Sequence, residues 1–160
     1  MVLVITISAI SSFVFAVSLL VMYSYLDIHT REVPNRVMLI GGILSLGIIM
    51  RSDHLIENLY LHLTAVLLTL VLGYILFRMG ALGGADVKTL FTIAIISPGV
   101  EFASWGNPVL EGILIVGLLF AIPLMVGYLK SQRETEKTSV IPLIPIIFAV
   151  YLAIQLLAIF

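Results

Sequence analysis

The sequence predicts an all-α integral membrane protein, a bundle of about six transmembrane helices forming one domain over residues 1–160. Three observations carry that prediction. Apolar residues make up 61% of the chain and charged residues 11%, against roughly 45–50% and about 25% in soluble domains. Mean hydropathy is +1.22. The apolar residues also fall into runs close to the ~20 residues that cross a bilayer, separated by short polar connections. A chain of 160 residues suits a single bundle and leaves no room for a separate soluble domain.

The first run, near 2–26, carries no charge. It lacks the basic start of a secretory signal and exceeds the ~7–15 residues of a signal's apolar core, so it reads as a retained first helix. Runs near 36–50 and 56–78 give the second and third helices. The fourth, near 87–97, is about half a span and stops at Pro98-Gly99. A segment so short must be shielded by protein, tilted, or extended through irregular chain. Runs near 109–129 and 139–160 complete the set, and the polar stretch Lys130 to Ser139 between them reads as a solvated loop. No repeat, low-complexity tract or domain linker is visible.

The basic residues give an independent test. Arg31 and Arg36 lie in the first connection, Arg78 and Lys88 in the third, Lys130, Arg133 and Lys137 in the fifth. Only Arg51, beside Asp53 and Glu57, lies in the second, so seven of eight fall on one side of a six-span bundle. Lys and Arg favour cytoplasmic loops. Both termini are therefore expected outside a plasma membrane, with the odd connections inside. A re-entrant fourth segment would destroy the asymmetry.

Composition also excludes several chemistries. A net charge of −1 leaves no basic footprint for nucleic acid. The absence of cysteine removes a disulfide frame, a thiolate metal site and a cysteine nucleophile. No His-Glu-x-x-His or Gly-x-Ser-x-Gly motif occurs. His54 and His62 fall toward the predicted outer face and read as interfacial or packed residues; His29 reads as a solvent-facing loop residue. The scattered Met and Tyr residues read as packing and interface groups. No metal or other cofactor is expected.

What remains is a pair of aspartates. Asp27 closes the first helix within Asp27-Ile-His-Thr-Arg-Glu-Val-Pro34-Asn35; Asp86 opens the fourth within Gly83-Gly84-Ala85-Asp86-Val-Lys88. Both land on the predicted cytoplasmic face. An ionisable group at membrane depth is costly and marks function by default. Plain readings exist for each. Asp86 suits an N-cap, Lys88 a snorkelling interface residue, Asp27 and Arg31 an interfacial ion pair, and Pro34 the first turn of the second helix, with Thr30 or Glu32 near its cap. Yet Gly83-Gly84-Ala85 is more than a cap needs: small residues let the chain turn tightly and let another chain approach. Two carboxylates brought together can share a proton and hydrolyse a peptide. One, ionised, takes a proton from attacking water; the other, protonated, polarises the carbonyl and later protonates the amine. Their own helix ends assign Asp86, near an N-terminus, as base and Asp27, near a C-terminus, as acid. A small ion or proton carrier using both as relay groups is the alternative, disfavoured because the predicted helix centres are nearly free of polar groups. A structural subunit would leave the paired motifs without purpose.

These motifs resemble the type IV prepilin peptidase family, including its archaeal preflagellin peptidases and short peptidase-only members. Asp27 followed by Arg31, Val33, Pro34 and Asn35 is similar to the family's first aspartate with its downstream Pro-Asn. Gly83-Gly84-Ala85-Asp86 with Val87-Lys88 is similar to its GxGD motif, Ala85 replacing the second glycine. The six-span layout extends the resemblance to nearly the whole chain. It implies an aspartic endopeptidase that removes a short basic leader from pilin-like or preflagellin precursors at the cytoplasmic membrane face, with Arg31, Glu32, Pro34, Asn35, Gly83, Gly84, Ala85 and Lys88 shaping the site and no cofactor. The chain lacks the cysteine-bearing cytoplasmic domain and the N-methylation segment of large bifunctional members, so no methyltransferase activity is expected. The presenilin-type GxGD proteases have longer chains and a different first motif.

Overall fold

A computed structural model describes residues 2–3, 6–104, 106–133 and 142–158. The long helices follow the apolar runs, and their ends follow local chemistry. Helix α1 (Ile7–Thr30) begins where the Thr6 side chain accepts the Ala9 amide at 3.1 Å, satisfying one of the donors a helix start leaves over. It ends at Arg31, whose left-handed backbone (φ 57°) turns its N–H onto the Asp27 carbonyl. Pro34 then stands at the N-cap of α2 (Asn35–Arg51), where a fixed φ and a missing N–H cost nothing. A single turn, α3 (His54–Glu57), precedes α4 (Leu59–Arg78). The remaining helices are α5 (Gly84–Ile96), α6 (Pro108–Arg133) and α7 (Ile144–Leu157).

Several expected boundaries move. The first helix starts at Ile7, because Val2–Leu3 (β1) pairs antiparallel with Ala103–Ser104 (β2) instead of continuing the helix. The last starts at Ile144 rather than near 139, in a stretch where Pro142 and Pro145 favour a fresh first turn; residues 139–141 and Lys137 lie outside the described residues. Lys130 to Arg133, read as loop, continues α6. The fourth predicted run is α5, and it starts three residues earlier than its apolar run, taking Gly84, Ala85 and Asp86 into its first turn. Among the described residues three helices, α1, α4 and α6, are long and apolar enough to cross a membrane, and α7 is a shorter apolar helix of 14 residues.

Helix α5 sits at the centre. It packs between α2 and α4, with α1 and α7 behind it, and Leu90, Ile93, Ala94 and Ile96 are buried in the main core. Its shortness is met by shielding: the chain runs on from Ile96 through a buried irregular stretch, Ser97 to Glu101. Backbone groups without helical partners are costly away from water, and side chains from neighbouring helices supply the partners here. The Val100 amide donates to Glu111 Oε1 at 2.8 Å and the Glu101 amide to Gln155 Oε1 at 2.9 Å. Gln155 Nε2 returns a bond to the Gly99 carbonyl at 2.9 Å.

The same pole explains the two histidines. Both are buried rather than interfacial. His54 donates Nε2–H to Glu101 Oε2 at 3.1 Å, and its Nδ1 pairs with His62 Nε2 at 3.0 Å. One neutral tautomer of each ring satisfies this chain of bonds.

Candidate active site

A small apolar cluster at the other pole brings the two aspartate motifs together. Leu19 and Tyr23 of α1, Val33 of the following loop, Met38 of α2 and Ile144 of α7 are buried against one another, with Leu26 and Ala85 packed on them. Val33 thus pins the loop after Asp27, and Ala85 pins the turn before Asp86. Alternation of loop polarity would not have singled out Val33; its contact with Ile144, 111 positions on by numbering, is a tertiary fact.

Asp27 lies in the last turn of α1, half-buried. Its Oδ2 accepts the Ile144 amide at 3.3 Å, across a separation of 117 residues. Ile144 is the first residue of α7 and its N–H has no partner inside that helix, so α7 offers it outward. Arg31, four residues on, acts electrostatically on the same carboxylate. The Ile144 contribution is one that sequence reading missed. The Pro142 and Pro145 pair was the available sign that a helix N-terminus, with its free amides, lay here.

Asp86 is not the N-cap. Gly83 holds that position, and Asp86, third residue of α5, folds back so that its Oδ2 accepts the Gly83 amide at 3.1 Å. The glycine earns its place sterically: a Cβ on Gly83 would stand 3.0 Å from that carboxylate oxygen. Asp86 precedes the apolar run that starts at Val87. Burial pushes its carboxyl up to about 6, the Gly83 bond opposes this, and the neighbouring Asp27 charge raises it further. Each carboxylate accepts a hydrogen bond from a backbone amide, Asp27 from Ile144 and Asp86 from Gly83.

The remaining candidates divide. Lys88 Nζ donates to Asn35 Oδ1, joining the first turns of α5 and α2 beside the aspartates. Pro34 and Gly84 shape the starts of those helices. Glu32 is exposed, its carbonyl accepting the Thr30 hydroxyl at 2.6 Å. His29 is exposed and bonds the Tyr25 carbonyl through Nδ1 at 3.0 Å. Among the described residues no group of His, Asp and Glu is arranged to hold a metal ion. A recess of about 520 Å³ opens at the opposite pole beside His54 and Glu101 and holds neither aspartate. Two shallower apolar grooves, of about 460 and 370 Å³, flank α5 and both reach Lys88.

The site so built has two carboxylates whose motifs pack on one cluster, small residues at the turn before one of them, and an apolar surface leading to it. Comparison with known proteins gives one result: the family model of the type IV leader peptidase family matches residues 13–160. No curated protein and no solved structure matches the chain.

Proposed function

We propose, from the premise that the chain belongs to the type IV leader peptidase family, that it is a membrane-embedded aspartic endopeptidase whose catalytic pair is Asp27 and Asp86. Membership makes it a leader peptidase-type protease, hence a hydrolase. The observation that carries the rest is the apolar cluster of Leu19, Tyr23, Val33, Met38 and Ile144, on which Leu26 and Ala85, the neighbours of the two aspartates on α1 and α5, both pack. Like charges in close approach do not both ionise, so such a pair holds one proton between them.

The surroundings favour the reverse of the roles that helix ends alone suggest. Asp86, raised to about 6 by burial, is the better proton carrier: it polarises the scissile carbonyl and then protonates the departing amine. Asp27, whose oxygen already accepts the Ile144 amide, acts as base toward the attacking water. The earlier assignment weighed only each residue's own helix. Asp27 also stands at the start of α7, whose N-terminal dipole favours an anion.

The substrates are pilin-like or preflagellin precursors with a short basic leader, cut on the cytoplasmic side of a plasma membrane, without a cofactor and without methyl transfer. The helix ends support that topology: Arg31, Arg36, Arg78, Lys88 and Lys130 all belong to helix ends or connections at the aspartate pole, Arg51 to the opposite one. Six spans with both termini outside follow from this asymmetry. Arg31, Glu32, Pro34, Asn35, Gly83, Gly84, Ala85 and Lys88 shape the site around the pair.

Cleavage of a type IV prepilin in detergent or membranes tests the reading, comparing wild type with Asp27→Asn and Asp86→Asn. Asparagine keeps the shape and cannot exchange the proton. Loss of cleavage in each variant, with folding retained, is the expected result. Normal cleavage by both would end the dyad and place the hydrolysis on other residues.

A further inference from the structure

The two grooves beside α5 are not equivalent, and the difference bears on where a precursor's apolar helix would lie. In bilayers, helices associate through close packing at small residues rather than through the hydrophobic effect. The α4/α5 groove has Gly73 at its floor, but that position is taken: a Cβ there would stand 2.8 Å from Val87 Cγ1. The α2/α5 groove has Gly42, and nothing lies within 4 Å of the space above it. The first glycine is used up by the protein's own packing. The second is a close-approach point without an occupant.

The α2/α5 groove also leads to the chemistry. Helices α2 and α5 start at the same pole, joined there by Lys88 and Asn35, and Asn35 lines only this groove of the two. From that polar end the walls descend through Met38, Phe91 and Gly42 to Leu46 and Ile95. Asn35 to Leu46 is about 16 Å of helix at 1.5 Å per residue, some three turns of lateral contact. Asp86 stands two residues before Lys88, and only Glu32, Val33 and Pro34 separate the Arg31 cap of α1 from α2.

We propose that the α2/α5 groove, with Gly42 as its floor, is the exosite for the apolar helix of the precursor. This rests on the leader peptidase reading above. A single helix lying in it parallel to α2 would have its polar end at Asn35 and Lys88, where the chain leaving that helix passes to the two carboxylates. The occupant is a precursor helix because the groove combines an apolar wall with an end open to the hydrolytic site. A second copy of this chain would have no reason to end there.

The chain contains no cysteine, so single cysteines report contacts directly. A type IV prepilin carrying one cysteine in its apolar helix is mixed, in proteoliposomes, with Gly42→Cys, Gly47→Cys or Tyr74→Cys enzyme. Gly47 lies on α2 outside the groove with open space around it, and Tyr74 lines the α4/α5 groove. Disulfide formation is expected at 42 and not at 47 or 74. In parallel, Gly42→Leu is expected to raise KM for the prepilin by about tenfold, equivalent to ~1.4 kcal/mol, while Gly47→Leu leaves it unchanged. Both replacements improve helix propensity, so loss of fold does not mimic the effect. Cross-linking at 74 instead of 42, or unchanged KM in Gly42→Leu, overturns the proposal while leaving the peptidase intact. Wild type that cuts no prepilin removes the peptidase reading, and the exosite with it.

Discussion

Gly41 and Gly42 are adjacent on α2, yet alanine should act on them in opposite directions. A Cβ on Gly41 would fall on the Tyr23 hydroxyl, with Tyr23 Cζ at 3.2 Å and Leu19 Cδ2 at 3.3 Å. Tyr23 is only 1% exposed and belongs to the cluster beneath the aspartates, so its ring has nowhere to retreat. Overpacking of this kind costs about 1–3 kcal/mol, against roughly 1 kcal/mol gained when glycine leaves a helix interior. Gly41→Ala should therefore lose up to ~2 kcal/mol, while Gly42→Ala, meeting nothing, should gain up to ~1 kcal/mol. The gap between neighbours is then about 1–3 kcal/mol, at roughly 2–4 °C per kcal/mol for a chain of this size. Thermal unfolding in one detergent, followed by circular dichroism, measures it. Tyr23→Phe removes the atom that is met first, so Gly41→Ala should cost less in that background, a coupling the double-mutant cycle isolates. Equal unfolding temperatures for the two alanine variants, or no relief from Tyr23→Phe, would refute the packing argument.

Three further outcomes are expected. If Asp86 carries the proton, with its carboxyl raised to about 6, kcat/KM falls as pH rises through that value, because the acid form is lost; a profile flat from pH 5 to 8 would count against the role. His54→Ala leaves Glu101 buried without its partner. Leaving a buried acceptor without its hydrogen-bond donor costs about 1–3 kcal/mol, so unfolding temperature should drop while cleavage of a prepilin well below that temperature persists; undiminished stability would show that the bond contributes little. Glu32→Gln should raise KM for a precursor with a basic leader and have less effect when the leader's Lys and Arg are replaced, whereas an unchanged KM would remove Glu32 from leader recognition.

How much of this was legible in the sequence differs by feature. The long helices were, because an unbroken apolar run has few other fates, and so was the sharing of one pole by Asp27 and Asp86, which follows from counting helices between them. The start of α7 was not: residues 140–154 are apolar without interruption, and hydropathy does not mark a start inside such a run. The two prolines did. His54 and His62, read as interfacial or packed, are packed, but the bonded chain they form with Glu101 joins three segments and hydropathy does not show it. Glu101, Glu111 and Gln155 drew no attention for the same reason. Glu111 and Gln155 satisfy a broken backbone and Glu101 holds His54, and that backbone breaks only in three dimensions.

The resting contacts of the aspartates have a consequence for how such a site varies over time. Beside the Arg31 charge that acts on Asp27, the Ile144 and Gly83 amides that bond the two carboxylates belong to the main chain. A side-chain partner is erased by a single substitution; an amide survives all but proline. These two amide restraints are thus sheltered from ordinary mutational drift. Lineages would retune them by sliding α7 or reshaping the glycine turn, through changes in packing residues that never touch a carboxylate.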